Sequence, residues 1–420
     1  GTMPGSNMGN EDDETAAPSI KKNLDGEHSD GPNGINSIRE RRNRGDPSFL
    51  SEEKTASRKS NNSNASLAFT DKIDFNPSSP YPDIIRILQL ANDTNELAQA
   101  MKEYQPKSNY VDMVRIKRSA RTKLRKYNDA IYFGEIFNDK RHGMGILIHK
   151  TGTLYEGEFE NDHKHGKGFE MTSQGCRYEG HYSNGKPEGY GVFYWPSGEV
   201  YEGEWKCGLK HGSGLWKGLS GENYMGEWRC GKQEGYGVFV WKNGDRYEGE
   251  FKDFLKHGHG TEKFANGDYY VGNYRNGKPH GYGEYYWSNG SQYKGFFRNG
   301  LRHGKGTWRS GPGKADEYDG EWVNDKKCGY GVFRWISGNY YEGEFFDDNR
   351  QGQGVMHWID GSYYKGAWQK GIQHGEGELH IPGKEPKIGI FENNMYMGPI
   401  NANEDYDFMN PKKPESLGPI

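Results

Sequence analysis

A tyrosine recurs along this chain at intervals of 23 residues, and this repeat constrains the fold more than any other feature. Eight tyrosines from Tyr132 to Tyr293 follow one another at that interval. After one interval of 25 residues the series continues with Tyr318, Tyr341 and Tyr364. A further step of 23 residues reaches a degenerate copy at Lys387. A period of this length is typical of an array of stacked supersecondary units, and the sequence predicts eleven repeats and an imperfect twelfth.

Within each repeat, residues two positions apart have the same chemical character. A glycine lies two positions after each tyrosine, and an aromatic residue usually lies two positions further on, as in Tyr201, Gly203 and Trp205. Alternation with a period of two indicates a β-strand, so these three residues are predicted to share one face. The intervening Glu202 and Glu204 are predicted to belong to the opposite face.

Two sets of turn signals separate the predicted strands. Asn-Gly or a related pair precedes most of the tyrosines, as at Asn243-Gly244, and a second Asn-Gly follows the aromatic residue in several repeats, as at Asn276-Gly277. Asn-Gly between alternating segments is a strong β-hairpin signal, because both residues tolerate positive φ. Each repeat is therefore predicted to form two antiparallel strands, and the array an antiparallel meander.

The repeats "YEGEWKCGLKHGSG" at 201–214 and "YEGEFKDFLKHGHG" at 247–260 resemble the MORN repeat, the membrane occupation and recognition nexus. The resemblance covers about residues 130–398. It implies an all-β fold: an elongated, single-layer, twisted antiparallel meander of about 11–12 MORN hairpins that acts as an interaction module. Ordering one residue of backbone costs about 1–2 kcal/mol, so a single repeat is not expected to be stable without its neighbours.

The composition agrees with an array that buries aromatic rather than aliphatic residues. The 62 glycines and the mean hydropathy of -1.08 are typical of a disordered chain. However, 14% of the residues are aromatic, whereas disordered chains are poor in aromatic residues. The formal charge of -4 is too small to favour a nucleic-acid partner. No apolar segment approaches the roughly 18–20 residues of a membrane span, and no signal peptide is recognisable. We therefore expect a soluble, cytoplasmic protein.

No catalytic, cofactor or metal site is expected. Histidines such as His211 and His257 recur at one position of the repeat, where Glu, Gln or Cys stands in other repeats. Equivalent residues of adjacent repeats lie two strands, or about 9–10 Å, apart, too far to share a metal ion whose ligand bonds are about 2 Å. For the same reason Cys207 and Cys230 are expected to be free thiols, since a disulfide needs Cα atoms within about 7 Å.

The aromatic residues are expected to form the floor of a groove that grips an extended or helical segment of a partner protein. Alternate glycines leave gaps into which neighbouring rings can fit. The candidate groove residues are Tyr178, Tyr182, Tyr201, Trp205, Tyr224, Trp228, Tyr247, Phe251, Tyr270, Tyr274, Tyr293, Phe297, Trp322, Phe345 and Trp368. The glutamates of the opposite face are expected to be solvated; they are Glu156, Glu179, Glu202, Glu248 and Glu342.

The remainder of the chain divides by composition. Residues 1–78 are polar and are predicted to be a disordered tail. Residues 79–129 are predicted to be a helical segment, with Asp93 or Thr94 as a helix cap and Pro106 as a stop signal. Residues 130–400 form the array, and residues 401–420 are predicted to be an irregular tail.

The end of the helical segment is strongly basic. Seven bases and no acid lie between positions 115 and 126, and Ile116, Ala120, Leu124 and Tyr127 have the spacing of one helix face, which predicts a basic amphipathic helix. Such a helix would cap the first edge strand, bind a calmodulin-type partner or anionic lipid, or act as a nuclear import signal. The bases are Arg115, Lys117, Arg118, Arg121, Lys123, Arg125 and Lys126.

The resemblance to MORN proteins without an attached enzyme domain implies a non-catalytic structural scaffold. It implies cytoskeletal or ciliary protein partners, in an axonemal assembly such as a radial spoke, and in some cases self-association. The alternative is a membrane tether that binds anionic phospholipid through residues 115–126. Neither function requires a cofactor or a nucleic acid.

Overall fold

The computed structural model describes residues 81–400, which divide into two compact units, residues 81–278 and residues 279–400. Nearly all of the regular structure in both units is antiparallel β-strand, and the described helices precede the first strand. The predicted all-β meander is therefore confirmed in each unit. The tails predicted for residues 1–78 and 401–420 lie outside the described residues.

Three short helices begin the first unit. They are α1 (Pro82–Gln89), which leads into a 3-10 turn (Leu90–Asn92), α2 (Thr94–Glu103) and α3 (Met113–Arg118). Asp93 caps α2, because its carboxylate accepts the N–H groups of Asn95 and Glu96 at 3.0 Å. Asp112 caps α3 in the same way. These caps satisfy backbone donors that have no partner inside the helix. The helices confirm the prediction of a short helical segment before the array.

Fourteen strands follow in the first unit, each paired antiparallel with the next. They are β1 (Thr122–Lys126), β2 (Ala130–Phe137), β3 (Lys140–His149), β4 (Leu154–Glu160), β5 (His163–Met171), β6 (Arg177–Ser183), β7 (Lys186–Tyr194), β8 (Val200–Lys206), β9 (Leu209–Lys217), β10 (Asn223–Arg229), β11 (Lys232–Val240), β12 (Arg246–Lys252), β13 (Leu255–Lys263) and β14 (Tyr269–Arg275). Two strands thus correspond to each repeat, and β1 is an additional strand.

The second unit continues the same antiparallel order. Its strands are β15 (Lys278–Tyr286), β16 (Gln292–Arg298), β17 (Leu301–Arg309), β18 (Glu317–Val323), β19 (Lys326–Arg334), β20 (Tyr340–Phe346), β21 (Asn349–His357), β22 (Tyr363–Gln369), β23 (Ile372–His380), β24 (Lys387–Glu392) and β25 (Met395–Gly398). The last two strands show that the degenerate twelfth repeat also forms a hairpin.

The two sets of turns differ in backbone conformation. After the aromatic residue, both turn residues have positive φ, as at Asn184 (49°) and Gly185 (80°), which fits the predicted Asn-Gly hairpin. Before the tyrosine, only the glycine has positive φ, as at Gly244 (94°), whose N–H donates to the Trp241 carbonyl at 3.0 Å. In the turns before the tyrosine, therefore, only the glycine adopts positive φ.

A β-bulge interrupts the pairing of the two strands in most repeats. In β12 the pairing register shifts between Gly249 and Phe251. The Glu250 carboxylate accepts the N–H of His259 on the neighbouring strand at 2.9 Å. One residue of β12, Glu250, thus lies opposite residues 257–259 of β13, so the extra residues of the bulge belong to the second strand. The tyrosine, the glycine and the ring four positions after the tyrosine share a face through the period-two alternation of β12.

The basic amphipathic helix predicted for residues 115–126 is wrong in its second half. The helix α3 ends at Arg118, and residues 122–126 form β1, which pairs with residues 131–135 of β2. The Thr122 hydroxyl donates to the Ile116 carbonyl at 2.6 Å, at the point where the helix gives way to the strand. Without β1 the edge of β2 would present unpaired backbone groups, so strand pairing prevails over the helical spacing of Ala120, Leu124 and Tyr127.

Candidate interaction surfaces

The sheet has two chemically different faces, which we name by their residues. The aromatic face carries the first tyrosine of each repeat, the following glycine and the ring four positions after the tyrosine. The glutamate face carries the residue directly after each tyrosine, which is glutamate at positions 156, 179, 202, 248 and 342, together with the alternate residues of the second strand such as Tyr190 and Val192.

The aromatic face forms a continuous ladder of edge-to-face ring contacts within each unit. Tyr178 contacts Tyr182 of its own repeat and Trp205 of the next, with ring centroids 5.1 and 5.3 Å apart and planes nearly perpendicular. In the second unit Trp322 lies in the same way between Tyr293 and Tyr318, at 5.5 and 5.1 Å. This geometry matches the electrostatic preference of aromatic pairs, so each ring stabilises its own repeat and the next.

The fifteen residues predicted to line an open groove all belong to this ladder, and each is at most 4% exposed. They are Tyr178, Tyr182, Tyr201, Trp205, Tyr224, Trp228, Tyr247, Phe251, Tyr270, Tyr274, Tyr293, Phe297, Trp322, Phe345 and Trp368. The rings of adjacent repeats cover one another and leave almost no ring surface to a partner. The expectation of an open aromatic floor is therefore corrected: these side chains are the core of the array.

Paired glycines make room for the tyrosine rings. Gly295 lies opposite Gly306, and the Tyr293 ring lies over both of them. A Cβ atom at Gly306 would lie 2.6 Å from Cε2 of Tyr293, closer than any normal contact. The Tyr293 hydroxyl also donates to the Phe296 carbonyl at 3.0 Å. The glycines of the repeat therefore serve packing, and in this part of the repeat they do not form a ligand-binding loop.

A column of cations on the aromatic face was missed by the sequence analysis. Arg302 is 1% exposed, its guanidinium lies 4.1 Å from the Trp322 ring centroid, and it bonds the carboxylate and the carbonyl of Asp325 at 2.8–3.2 Å. The signal was present in the sequence, because a base stands nine positions after most of the tyrosines, on the face of the glycines. These bases are Arg141, Lys164, Lys210, Lys256, Arg302, Lys327 and Arg350. Their place over the rings fits a cation–π role in the core.

On the glutamate face, residues 81–118 cover the first two repeats. Side chains of α1 and α2 such as Ile84 and Leu97 pack in one buried cluster with Ile146 and Phe169 of the strands. Under these helices Glu156 is fully buried, which corrects the expectation that it is solvated. Its carboxylate accepts hydrogen bonds from the Tyr104 hydroxyl, the Lys107 and Ser108 N–H groups and the Ser108 hydroxyl, at 2.6–2.9 Å.

The glutamate face of the later repeats is open. Glu179, Glu202, Glu248 and Glu342 are half-exposed or exposed, as the sequence analysis predicted. Large apolar side chains beside them are also exposed. They are Tyr190, Met225 and Tyr236 in the first unit and Tyr282 and Tyr330 in the second, with between 48% and 58% of their surface accessible. This open surface combines exposed apolar side chains with glutamates, as does the surface that the helices cover in the first two repeats.

The basic segment is tied to the first repeat by Glu135. The Ser119 hydroxyl donates to the Glu135 carboxylate at 2.9 Å, and the Arg121 and Arg115 guanidinium groups lie 3.1 and 3.7 Å from it. Burial alone would raise the pKa of Glu135, but the Met144 N–H, Ser119 and the two arginines outweigh burial and lower it. Arg125 pairs with Asp139, and Lys126 donates to the Thr94 hydroxyl. The segment thus covers the first edge of the sheet, one of the roles considered for it.

Three bases of this segment have no acidic partner among residues 81–400. Lys117 and Arg118 at the end of α3 and Lys123 in β1 are exposed to solvent. They are therefore available to a partner or to an anionic surface.

The recurring histidines lie near carboxylates without forming a metal site. His211 and His257 line a shallow, open depression of the first unit together with Glu227, Glu234 and Glu250. Between residues 81 and 400, no group of three or more His, Cys, Asp and Glu side chains is placed to hold a metal ion. The Glu227 and Glu250 carboxylates instead bond backbone N–H groups at the bulges. The four cysteines are free, including Cys207 and Cys230.

Hairpins of similar length, stacked through one column of tyrosines, define a repeat protein. Eleven segments between residues 132 and 383 match the MORN repeat family model, and together they account for more than half of the chain. The chain belongs to the MORN-repeat family. This confirms the resemblance to the MORN repeat that the sequence analysis identified. Among curated proteins, no sequence matches the chain.

Several solved structures match this chain at low identity. The TCP domain of Drosophila melanogaster SAS-4 (dCPAP), solved in complex with a proline-rich motif of Ana2, is 13% identical over 38% of this chain and 85% of its own, with a TM-score of 0.25. The TCP10 domain of Danio rerio CPAP is 8% identical over 53% and 94%, with a TM-score of 0.20. Virginiamycin B lyase from Staphylococcus aureus is 11% identical over 62% and 96%, with a TM-score of 0.13. At TM-scores this low, no functional conclusion follows.

None of the helices within residues 81–400 is long and apolar enough to cross a membrane.

Proposed function

We propose that this protein is a non-catalytic scaffold that holds partner proteins on its glutamate face. The observation that carries the proposal is the position of residues 81–118. This segment lies on the glutamate face of the first two repeats through a buried apolar cluster and the carboxylate of Glu156. The same face is open in later repeats and carries exposed rings such as Tyr190, Tyr236 and Tyr330. A second polypeptide can bind there by the same combination of contacts.

The proposed setting is a cytoskeletal assembly, and more narrowly a ciliary axoneme structure such as a radial spoke. Membership of the MORN-repeat family supports a scaffold role. The localisation is tested by tagging the protein in its native cell and imaging it. Signal along axonemes supports the ciliary role, and exclusion from all cytoskeletal structures contradicts it.

Partner binding is tested by chemical cross-linking and mass spectrometry on complexes purified from that cell. Cross-links from the partner are expected on lysines near the glutamate face, and a variant with Tyr190, Tyr236 and Tyr330 changed to Asp is expected to lose the partner. The matched control changes three exposed apolar residues of the turns, Leu219, Ile336 and Ile359, to Asp. Cross-links confined to other surfaces, or a partner retained by a folded triple variant, would contradict the proposal. Links between two copies of this chain would identify the partner as the protein itself.

A membrane tether is the second candidate. It is favoured by Lys117, Arg118 and Lys123, which are exposed and unpaired with acids in the described part of the chain. Basic residues near an anionic membrane each contribute about 1 kcal/mol. Flotation with phosphatidylserine vesicles is expected to carry the wild-type protein, and charge reversal of these three residues is expected to abolish flotation. Arg125, which pairs with Asp139, provides a control substitution. Failure of the wild-type protein to float would reject this candidate.

A further inference from the structure

Three exposed tyrosines, each twelve residues after the first tyrosine of its repeat, donate a hydrogen bond to the carboxylate of a glutamate on the neighbouring strand. The hydroxyl of Tyr190 lies 2.6 Å from Glu202, that of Tyr236 lies 3.0 Å from Glu248, and that of Tyr330 lies 2.6 Å from Glu342. All three rings are about half exposed. Each pair therefore presents a ring face and a carboxylate side by side to the solvent.

The same face shows what such a pair binds. In the second unit the Tyr286 hydroxyl also donates to a glutamate, Glu284, and a cation occupies the pair. The ammonium group of Lys294 lies 3.0 Å from the Glu284 carboxylate and 5.4 Å from the Tyr286 ring centroid. The hydrogen bond from Tyr286 makes the largest contribution to lowering the pKa of Glu284, and the hydrogen bond and charge of Lys294 lower it as well.

A second occupied example lies in the first unit. Arg177 lies 4.0 Å from the Tyr194 ring centroid, and its Nε lies 3.1 Å from the Glu179 carboxylate. A cation thus again binds a ring and a carboxylate together. Stacking on an aromatic face combined with a charge-assisted hydrogen bond is the chemistry that recognises arginine and lysine.

The three Tyr–Glu pairs differ in whether the chain supplies this cation. At Tyr236–Glu248, Arg246 reaches the carboxylate at 2.6 Å. Val200 stands at the corresponding position before Glu202, and Tyr340 at that before Glu342. Within residues 81–400, no base forms a salt bridge with Glu202 or Glu342. These two pairs have the chemistry of the occupied sites but lack the cation.

We propose that Tyr190–Glu202 and Tyr330–Glu342 each bind an arginine or lysine side chain of a partner polypeptide. The inference rests on the proposed scaffold function and names the chemistry of its contact points, one in each unit. Charge complementarity favours a basic segment as the occupant. The half-buried Val192 and Val332, two positions after the tyrosines, provide apolar surface beside each site.

The test uses the full chain and a fluorescein-labelled peptide with two arginines in a leucine and serine background. The control peptide has citrulline, an uncharged analogue, in place of both arginines. Binding is measured by fluorescence anisotropy at low salt. We expect the arginine peptide to bind and the double variant Glu202→Gln/Glu342→Gln to weaken it about tenfold. Because both residues are exposed, circular dichroism and the urea midpoint are expected to stay unchanged, which shows that the variant is folded.

The matched control removes the same number of charges from sites that the chain already fills. Glu179→Gln/Glu248→Gln is expected to change the affinity by less than twofold. Val200→Arg is expected to weaken binding, because the new arginine stands where Arg246 stands relative to Glu248 and would fill the pair at Glu202. Equal losses in the two double variants would show non-specific attraction and overturn the proposal, as would equal binding of the citrulline peptide.

Two further outcomes are decisive. If cross-linked partners remain on the glutamate face while the arginine peptide fails to bind, the scaffold function stands and the cation sites are rejected. The chain also contains a basic stretch, "RERRNR" at 39–44, outside the described residues. If replacing its arginines by serine raises the affinity for the peptide, the occupant is the protein's own tail, and the assignment to a partner is overturned.

Discussion

The Tyr104 hydroxyl donates a hydrogen bond of 2.7 Å to the Glu156 carboxylate, and this contact joins the helical segment to the second repeat. The carboxylate also accepts the N–H groups of Lys107 and Ser108. Replacing Glu156 by Gln places the side-chain NH2 group, a donor, opposite these donors. A hydrogen bond to a charged group typically contributes about 1.5–3 kcal/mol to the free energy of unfolding. We expect Glu156→Gln to destabilise the segment by roughly this amount, with faster hydrogen exchange across residues 81–118 while the later repeats stay protected.

The matched control is Glu202→Gln, at the same position of a repeat that no helix covers. Since Glu202 is exposed, its substitution is expected to change stability by less than about 0.5 kcal/mol. Equal exchange in the two variants would show that Glu156 does not hold the segment.

The sequence predicted the strands and turns of the array but not what each face contacts. Period-two alternation and Asn-Gly turns are local signals, so hairpins such as β8–β9 follow from them. The burial of Glu156 does not, because its donors Lys107 and Ser108 are 49 and 48 residues away in the chain. The conversion of residues 122–126 into β1 likewise depends on β2, whose edge the strand completes.

The aromatic residues show a second limit of sequence reasoning. Their number and spacing predicted rings on one face, but the extent of their burial depends on how adjacent repeats twist and interlock. Trp322 is completely buried by neighbours such as Tyr293 and Tyr318. The burial of Arg302 was not predicted, because arginine is rarely fully buried unless it is paired, although its position in the alternation places it on the aromatic face.

The close fit between tyrosine and glycine predicts a steric effect at Gly306. This glycine has an ordinary extended backbone, so alanine there would be limited only by the Tyr293 ring. Overpacking of this kind typically costs about 1–3 kcal/mol, and urea unfolding of Gly306→Ala is expected to show a loss in that range. Gly311 lies in a loop of the same unit, where a Cβ atom would have no other atom within 4 Å. A loss in Gly311→Ala as large as that in Gly306→Ala would show that the ring contact is not the cause.

Replacing the aspartate of the buried Arg302–Asp325 pair is expected to destabilise the protein more than replacing the aspartate of an exposed pair. Asp325→Asn leaves the buried guanidinium without its counter-charge, and we expect a loss of roughly 1–3 kcal/mol in urea unfolding. Asp347 pairs with Lys326 at the surface, in the same type of turn with positive φ. Asp347→Asn is therefore a matched control, with an expected change below about 0.5 kcal/mol. If the two variants unfold alike, burial of the cation column does not contribute to stability.

The tyrosine ladder predicts unfolding at alkaline pH. Burial raises the pKa of Tyr364 to about 12 and raises the pKa of Tyr201, Tyr224 and Tyr341 as well. In the unfolded chain these tyrosines ionise near pH 10. A group whose folded pKa is raised stabilises the fold fully below the unfolded pKa, and this stability is lost as the pH rises toward the folded pKa. We therefore expect stability to fall above about pH 10, with tyrosinate absorbance of the buried rings appearing together with loss of the β-sheet circular dichroism signal. Gradual ionisation of all the tyrosines near pH 10, with the sheet intact, would show that the ladder does not protect them.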